Sequence, residues 1–362
     1  MPRRTAICSS PKVCVDLNLS HPITIVGGGL AGLTLGIALR RQSVPVTVHE
    51  AGHYPRVRVC GEFISGRGLA VLDELQLREK FVAAGGLAAR SVAFFFPRLV
   101  SPVRPLPVPA LCLSRYAMDK VLADEFVRLG GNLIVGQRNA EPSSAAGMVL
   151  ASGRRLVPVE HGWRWYGMKA HVRNVATVAD LEMHVFRHGY VGLCRLADGE
   201  VNICGLFRRN DSIASDTAGF ELLRGEPGTP LRQKLANAEF IAGSTCAVAG
   251  ISLQPQRAQA KNLCAIGDAL TMIPPVTGNG MSLAFESAQI ACQPLTDFSA
   301  GNILWPDARQ AIARQCDETF AARLFWAKWF QRALLSPSFQ NIFAALAVRS
   351  EWFWRFAFEF TR

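Results

Sequence analysis

ITIVGGGLAGLTLGIALRRQSVPVTVHE, residues 23–50, reads as a strand, a glycine-rich turn, a helix and a second strand. Residues 23–26 form a short β-branched run that is typical of a buried parallel strand. The apolar residues that follow predict a helix over 30–42, and VTVHE predicts a second strand that ends on Glu50. The order of these elements predicts the first β-α-β unit of a Rossmann-type α/β domain.

Three glycines in this turn follow the spacing G-x-G-x-x-G, at Gly27, Gly29 and Gly32. The first permits the tight turn, the second lets the backbone approach a pyrophosphate, and the third lets helix and strand pack closely. The start of the helix also offers free N–H groups to phosphate oxygens. Glu50 is placed to accept both hydroxyls of an adenosine ribose, and a carboxylate there favours FAD or NAD over NADP.

A second glycine motif lies in NLCAIGDALTMIPPVTGNGMSLAFESAQIA, residues 262–291. Asp268 follows a predicted strand over 263–266, and ligands of open α/β sheets bind at that end of a strand. Its carboxylate is therefore placed to accept from a polyol such as a ribityl chain. Gly278 and Gly280 leave the N–H groups of the following helix uncovered, and a helix start of this kind stabilises negative charge on a reduced flavin ring.

Together the two glycine motifs resemble those of the flavoprotein monooxygenases related to para-hydroxybenzoate hydroxylase. Within that superfamily the chain is most similar to the branch that contains geranylgeranyl reductases and flavin-dependent halogenases. Three further segments agree, and the resemblance covers residues 22–300. These segments are YPRVRVCGEFIS (54–65), LSRYAMDKVLADEFVRLGGNLI (113–134) and the strand region that includes YGMKAHV (166–172) and GYVGLCRLADGEVNICGLF (189–207).

The resemblance implies a two-lobe α/β flavoprotein. A discontinuous Rossmann-type domain would bind FAD, an inserted antiparallel sheet would form the substrate lobe, and helices would complete the chain. The expected boundaries are an N-terminal tail (1–21), the FAD-binding domain (22–72, 113–157 and 243–300), the substrate lobe (73–112 and 158–242) and a C-terminal helical region (301–362).

The same resemblance implies which residues bind FAD. The first motif would bind the ADP half, and the second motif would hold the ribityl or pyrophosphate group and border the isoalloxazine ring. An arginine at the start of the S-R helix would bridge to the linker of the cofactor, the plain alternative being an exposed helix arginine. The implied residues are Gly27, Gly29, Gly32, Glu50, Arg115, Gly267, Asp268, Pro275, Gly278, Asn279, Gly280 and Met281.

The function that follows is an FAD-dependent oxidoreductase. The leading expectation is a monooxygenase that uses a flavin C4a-hydroperoxide on a hydrophobic aromatic or polyketide-type metabolite. The alternative enzyme is a geranylgeranyl-reductase-like protein that reduces isoprenoid C=C bonds. The non-enzymatic alternative is a flavin-bound scaffold or lipid-binding protein. Ser152-Gly153 stands where many hydroxylases carry Asp-Gly, and HGWRWYG, residues 161–167, lacks the Ile-Pro of the halogenase W-x-W-x-I-P motif.

The chain has no second G-x-G-x-x-G, so the sequence predicts no dedicated NAD(P)H domain. Reducing equivalents would then come from NAD(P)H that binds transiently at the flavin face, or from a separate reductase. The second route makes an electron-donor protein a candidate partner, beside the hydrophobic small-molecule substrate.

Four residues are the candidates for catalysis. Cys60 and Glu62 lie in RVRVCGEFIS, where the thiol is either a flavin-face residue or a packing residue, and the arginines would lower its pKa if it were exposed. The carboxylate of Glu62 is a candidate hydrogen-bond partner or acid. Lys169 and His171 alternate on one strand face and are placed to neutralise a phenolate or carboxylate, the plain alternative being a solvated face.

Composition narrows the partners. The net charge of +11 arises from scattered arginines, without a basic run or a zinc finger, so no nucleic-acid partner is expected. Ten cysteines lack metal-ligand or C-x-x-C spacing, which predicts reduced thiols, no metal site and a cytoplasmic location. The C-terminal helices are rich in aromatic and basic residues, which predicts either a cap over the substrate cavity or peripheral contact with an anionic membrane.

Overall fold

The computed structural model describes residues 20–138, 144–154, 157, 159, 162–210 and 220–361, without the side chains of residues 337 and 338. The predicted N-terminal tail, up to residue 19, lies outside the described residues. Two sheets organise the chain, one of five parallel strands and one of nine strands that is mostly antiparallel. The predicted fold class is therefore confirmed.

The parallel sheet forms the core of the candidate cofactor domain, in the order β14-β7-β1-β2-β6. β1 pairs with β2 from Ile23 opposite Val46 to Val26 opposite His49, so the predicted β-α-β unit is present. Its helix is buried along almost its whole length, beneath the helix that follows the second glycine motif. The elements are β1 (Ile23–Val26), α1 (Leu30–Arg41), β2 (Val46–Glu50), α4 (Arg115–Arg128), β6 (Asn132–Val135), β7 (Met148–Leu150) and β14 (Cys264–Ala265).

Two glycines of the first turn are required by the packing of the chain itself. Gly27 has a φ of +112°, and a Cβ there would overlap the carbonyl of Ala151. A Cβ at Gly32 would overlap the carbonyl of Gly27, so this glycine lets α1 lie against the end of β1. Both have the mechanical roles that the spacing predicts.

The second sheet has the order β12-β8-β11-β10-β9-β4-β5-β3, with β13 also paired to β8. All pairs are antiparallel except β4 with β9. β10 and β11 form the predicted hairpin, and Asp198 and Gly199 in its turn have φ values of 56° and 70°. The strands are β3 (Phe63–Ile64), β4 (Leu87–Phe95), β5 (Arg104–Cys112), β8 (Arg164–Arg173), β9 (Leu181–Phe186), β10 (Gly189–Arg195), β11 (Val201–Arg209), β12 (Glu239–Phe240) and β13 (Cys246–Ala249).

The two faces of this sheet have different neighbours. Ala170, Val172 and Ile203 point to one side, where Leu231 and Leu235 around a short helix complete an apolar cluster. The side chains at the alternate strand positions, among them Lys169, point to the opposite side, towards the parallel-sheet domain. β3 and β13 belong to this sheet, although the expected boundaries place both with the FAD-binding segments. The short helices that flank the two sheets are α2 (Arg67–Glu74), α3 (Arg78–Ala83) and α5 (Pro230–Lys234).

Four helices follow the second glycine motif. The last three lie over one end of the antiparallel sheet, where Leu334 and Ala344 pack with Tyr190 and Leu206. The guanidinium of Arg104 on β5 donates to the carbonyl of Val348 at 2.7 Å and pairs with Glu351. These contacts place the C-terminal helices as a cap on the sheet. The helices are α6 (Gly280–Ser299), α7 (Trp305–Leu335), α8 (Pro337–Arg349) and α9 (Glu351–Glu359).

No helix within the described ranges is both long and apolar enough to cross a membrane.

Candidate flavin site and buried charge cluster

The two glycine motifs leave open space at two helix starts. Gly29 at the start of α1 has an ordinary φ of −83°, and an added Cβ would meet no atom within 4 Å. A Cβ added at Gly280, at the start of α6, would likewise meet no atom within 4 Å. Neither the backbone nor the packing of the described residues explains glycine at these two positions. A ligand that approaches the backbone closely does explain the choice of glycine. We call the open space at Gly29 and Gly280 the cradle, and it fits the pyrophosphate and ring of FAD.

Glu50 stands at the end of β2, where the ribose acid is expected. One carboxylate oxygen accepts from the N–H of Gly28 at 2.8 Å, and the other accepts from the N–H of Gly52 at 2.9 Å. Burial alone would raise the pKa of Glu50, but its ion pair with Arg56 outweighs this and lowers the pKa. The group is therefore a fixed carboxylate, and the oxygen that accepts from Gly28 keeps a further lone pair for a ribose hydroxyl.

An arginine pair surrounds a buried aspartate next to the glycine turn. The guanidinium of Arg115 at the start of α4 donates to Asp119 at 2.8 Å, and Arg56 donates to the other carboxylate oxygen at 3.0 Å. Arg115 is mostly buried, so the alternative of an exposed helix arginine is wrong. Arg56 also donates to the carbonyl of Gly28 at 2.8 Å. Sequence reasoning missed Arg56 as a site residue, although it stands six residues after the ribose acid.

Asp268 follows β14 at the carboxyl end of the parallel sheet, as predicted. It lies in a turn of 3₁₀ helix (Gly267–Ala269), and the N–H of Gly267 donates to Ser287 on α6 at 2.9 Å. Burial raises the pKa of Asp268, while the positive charges of Arg154 and Arg115 act in the opposite direction. The carboxylate of Asp268 is therefore half-buried, and the positive charges of Arg154 and Arg115 favour its ionised form.

The loop that is expected to border the flavin ring lies against β3. Pro275 begins a short 3₁₀ turn, and Gly278 adopts a left-handed φ of +69° with its Cα face against the ring of Phe63. Asn279 is fully buried, and its side-chain Nδ2 has no hydrogen-bond partner among the described residues. A buried amide N–H of this kind is suited to a carbonyl of a bound ligand. Met281, by contrast, packs in the core of the parallel-sheet domain.

All four candidate catalytic residues come together where the segment before β3 contacts the side chains of β8. Glu62 is fully buried and pairs with Lys169 through one oxygen, which also accepts from the N–H of Arg115 at 2.7 Å. The other oxygen lies 2.6 Å from Nε2 of His171. Cys60 is adjacent, since its Sγ accepts from the N–H of Glu62 at 3.5 Å. The carboxylate thus joins the substrate sheet to the N-terminus of α4, where negative charge is favoured.

Burial decides the charge states in this cluster. Burial alone would raise the pKa of Glu62, but the hydrogen bond from His171 and the charge of Lys169 lower it below its ordinary value. Glu62 is therefore a carboxylate at neutral pH, and the expectation of an acid at this position is wrong. Only 1% of Lys169 is exposed, so the solvated-face alternative is also wrong.

Cys60 does not have the environment of a reactive thiol. Burial raises the pKa of its Sγ, although the charge of Arg115 acts against this. The expected lowering by flanking arginines depends on exposure, and desolvation outweighs it here. The backbone carbonyl of Cys60 accepts from Asn202 at 3.0 Å, which ties the segment to β11.

A second carboxylate continues the cluster towards the surface. Nδ1 of His171 lies 3.5 Å from Glu200, whose other oxygen accepts from Arg173 at 2.9 Å. Glu200 is partly exposed and Arg173 more so. His171 therefore stands between a buried carboxylate and a solvent-facing one, an arrangement that is able to orient the imidazole ring.

The fold recurs in solved flavoenzymes of low sequence identity. The flavin-dependent brominase Bmp2 matches with a TM-score of 0.74 and 16% identity, over 94% of this chain and 92% of that one. The halogenase PltM matches with a TM-score of 0.72 and 15% identity, over 90% and 79%. PqsL, a probable FAD-dependent monooxygenase from Pseudomonas aeruginosa, matches with 0.68 and 14%, over 89% and 99%. The chain has the fold of FAD-dependent monooxygenases and halogenases.

A family model described as squalene epoxidase matches residues 231–347, which is less than half of the chain. The matched segment includes the second glycine motif and most of α6, α7 and α8. No curated protein sequence matches the chain. The resemblance to the hydroxylase-like flavoproteins is thus confirmed at the level of the fold.

Proposed function

We propose that the chain is an FAD-dependent monooxygenase that acts on a hydrophobic aromatic or polyketide-type small molecule. The observation that carries the proposal is the cradle at Gly29 and Gly280, which neither strain nor packing accounts for. When bound, FAD would provide the chemistry that activates O2 and inserts one oxygen atom into the substrate. The alternative, a C=C reductase, is not favoured, because the solved structures named above are monooxygenases and halogenases.

The residues of the chain have separate tasks in this proposal. Gly29 and the start of α1 bind the pyrophosphate, Glu50 binds the ribose, and Asp268 holds the polyol. The buried N–H of Asn279 binds the ring edge. Lys169 neutralises the buried carboxylate of Glu62 and so holds that side chain at the start of α4.

The electron source follows from the same fold. We propose that NAD(P)H binds transiently at the flavin face or that a separate reductase delivers the electrons, since the chain has a single G-x-G-x-x-G. Mixing the FAD-loaded protein with NADH or NADPH without O2, and following the visible absorbance of the bound flavin, separates direct reduction from reduction by a donor protein. Rapid bleaching by either nicotinamide supports direct reduction, and bleaching only after a flavin reductase is added supports a donor protein.

The cofactor is tested with two glycine variants. Gly29→Ala and Gly280→Ala are expected to fold as the unaltered chain does, because the added Cβ enters open space, yet to bind FAD at least tenfold more weakly. Ala83→Val, exposed on α3, is the matched control and should bind FAD normally. A colourless preparation that takes up no FAD, or unchanged FAD affinity in both glycine variants, contradicts the proposal.

The reaction type is tested with ¹⁸O2. FAD-loaded protein with a reducing system and a panel of phenols and polyketide-like aromatics should give a product that carries one ¹⁸O atom, with O2 uptake that depends on the substrate. Turnover of an isoprenoid alkene by the reduced protein under strict anaerobiosis would instead establish the reductase alternative.

We further propose that the outer faces of the C-terminal helices contact an anionic membrane surface, while their inner faces cap the sheet. Large apolar side chains remain exposed there, including Phe339, Ile342 and Trp352, with Arg349 at the end of α8. Apolar and basic groups side by side suit an anionic interface. Co-sedimentation with phosphatidylglycerol vesicles, lost in Trp352→Ser and in high salt, is expected. Equal recovery with neutral vesicles, or none with either, contradicts it.

A further inference from the structure

A cavity of about 390 Å³ lies between the antiparallel sheet and the end of α7. Trp165 on β8 pairs with Arg208 on β11, so both side chains lie on the sheet face that carries Lys169. The helix side of the cavity is formed by the last turn of α7 and the residue after it. The lining residues are Trp165, Arg208, Gln331, Arg332, Leu335 and Ser336.

The polar groups of this cavity are not satisfied within the chain. Gln331 is only 5% exposed, yet neither its amide nitrogen nor its amide oxygen has a partner among the described residues. Nε of Arg208 is likewise buried without a partner in the described part of the chain. Buried polar groups are normally hydrogen-bonded, so the unpaired amide of Gln331 and the single unpaired Nε–H of Arg208 beside one cavity indicate a polar ligand.

The charge of the cavity is positive. Arg208 donates to the carbonyl of Leu335 at 2.6 Å, and its guanidinium lies 4.9 Å from the ring centroid of Trp163, which together fix its orientation. Arg332 adds a second, exposed guanidinium. Burial lowers the pKa of Arg208 from its ordinary value, but a guanidinium stays protonated at neutral pH. Two guanidinium groups beside an amide suit an oxyanion.

A packed apolar cluster lies between this cavity and the loop beside the expected flavin ring. Leu206, Tyr190 and Leu334 belong to one buried cluster, and Trp165 packs against it at the cavity end. Val276, in the loop before Gly278, packs against the same cluster. The packing of this cluster therefore supports the apolar wall of the cavity and the loop before Gly278 from the same side of the sheet.

We propose that the substrate is an amphipathic anion, and that this cavity binds its oxyanion, a carboxylate or a phosphate ester. Arg208 and Arg332 neutralise the charge, and Gln331 donates to or accepts from the polar end. The apolar body then lies against Trp165 and Leu335, which line the same cavity. Calling this ligand the substrate rests on the proposed function, whereas the binding itself does not.

The test measures binding to the full-length, FAD-loaded chain by calorimetry, without turnover. The probes are 2-naphthoate, 2-naphthyl phosphate and the neutral 2-naphthamide. One of the two anions should bind at least tenfold more tightly than the amide, and the anion that binds more tightly identifies the oxyanion. Equal affinity for the anions and the amide would overturn the proposal.

Three variants locate the site. Arg208→Gln and Gln331→Leu should each weaken binding of the preferred anion about tenfold, and Arg332→Gln should weaken it less because its side chain is exposed. Arg314→Gln, an exposed arginine on the same helix, is the matched control and should bind normally. Arg208 also bonds to the end of α7, so its replacement can affect folding. If Arg208→Gln does not fold, the test rests on Gln331→Leu and Arg332→Gln. Unchanged affinity in both of these would refute the site.

The two proposals fail in different ways. If the chain takes up no FAD, the proposed function fails, and the naphthalene probes are then titrated into the FAD-free protein, where charge-dependent binding would still support the cavity. If FAD binds and ¹⁸O enters a product but the probes bind without regard to charge, only the inference about the oxyanion fails.

Discussion

Replacing Glu62 by glutamine should destabilise the protein strongly at neutral pH. The substitution keeps the shape of the side chain and an oxygen able to accept from the N–H of Arg115, which is now bonded at 2.7 Å. It removes the negative charge that pairs with Lys169 and lies 2.6 Å from His171. Lys169 is 1% exposed, so its ammonium group would be left in the interior without a counter-charge.

The magnitude follows from that burial. Removing one partner of a buried ion pair costs about 3–5 kcal/mol, because the remaining charge is uncompensated. A domain has a free energy of unfolding of about 5–15 kcal/mol, so the loss is a large fraction of the total. The double variant Glu62→Gln/Lys169→Met removes both charges, and should recover at least half of the loss.

The pH dependence has a definite sign. The pKa of Glu62 is lowered in the folded protein from its ordinary value of 4.5, so the unfolded state binds the proton more tightly. The stabilising contribution of the carboxylate is therefore complete above the unfolded pKa and is lost as pH falls through the folded pKa. The deficit of Glu62→Gln should be largest near pH 7 and shrink as the pH falls below about 4.

Urea unfolding measures these differences, with far-UV circular dichroism and tryptophan fluorescence recorded on the same samples. Coincident transitions allow a free energy of unfolding to be derived. Glu318→Gln, exposed on α7, is the matched control for the loss of one carboxylate and should unfold as the unaltered chain does. A Glu62→Gln variant within 1 kcal/mol of the unaltered protein at pH 7, or a double variant that is less stable than the single one, would refute the reasoning.

Three further outcomes are expected. Gly32→Ala should lower the urea midpoint, because its methyl group would overlap the carbonyl of Gly27; an unchanged midpoint would contradict the packing argument. Cys60→Ala should keep FAD and turnover, and Cys60 should resist a thiol reagent such as 5,5′-dithiobis(2-nitrobenzoate) in the native state, because burial raises its pKa; loss of turnover would restore a flavin-face role. Arg323→Met should cost about 3 kcal/mol in urea unfolding, because the buried Glu286, which it binds at 2.6 and 2.7 Å, would keep only the exposed Arg67 at 3.7 Å. A cost below 1 kcal/mol would count against it.

The first β-α-β unit was predictable because its signals are local. A β-branched run, three glycines and an acid within 28 residues each have a mechanical role that acts over a few ångströms. The structure places Gly27 and Gly32 where those roles require them. Asp268 was predictable for the same reason, since the end of a strand in a parallel sheet is a ligand-binding edge.

The buried cluster was predictable only as a set of candidate residues. Glu62 is 107 residues from Lys169 and 109 from His171, so no spacing in the sequence relates them. Alternation on β8 shows that Lys169 and His171 share a face, but whether that face is solvated depends on how the two sheets pack. That packing also reversed the expectations for the thiol of Cys60 and for the acidity of Glu62.

Arg208 and Gln331 escaped sequence reasoning altogether. Each lies in an ordinary context, a strand end and a helix, and neither belongs to a motif. Their significance arises from missing partners in the folded chain, a property that requires coordinates.

The carboxylate of Glu62 has a consequence for exchanging parts between flavoenzymes. It contacts Lys169 and His171 on β8 as well as the first N–H of α4, so a single side chain serves as a joint between two regions that are not contiguous in the chain. A chimera whose substrate sheet comes from another enzyme and has no cation opposite Glu62 would leave this buried carboxylate without a counter-charge. Recombination of this scaffold should therefore carry residue 62 and β8 together as one inherited block.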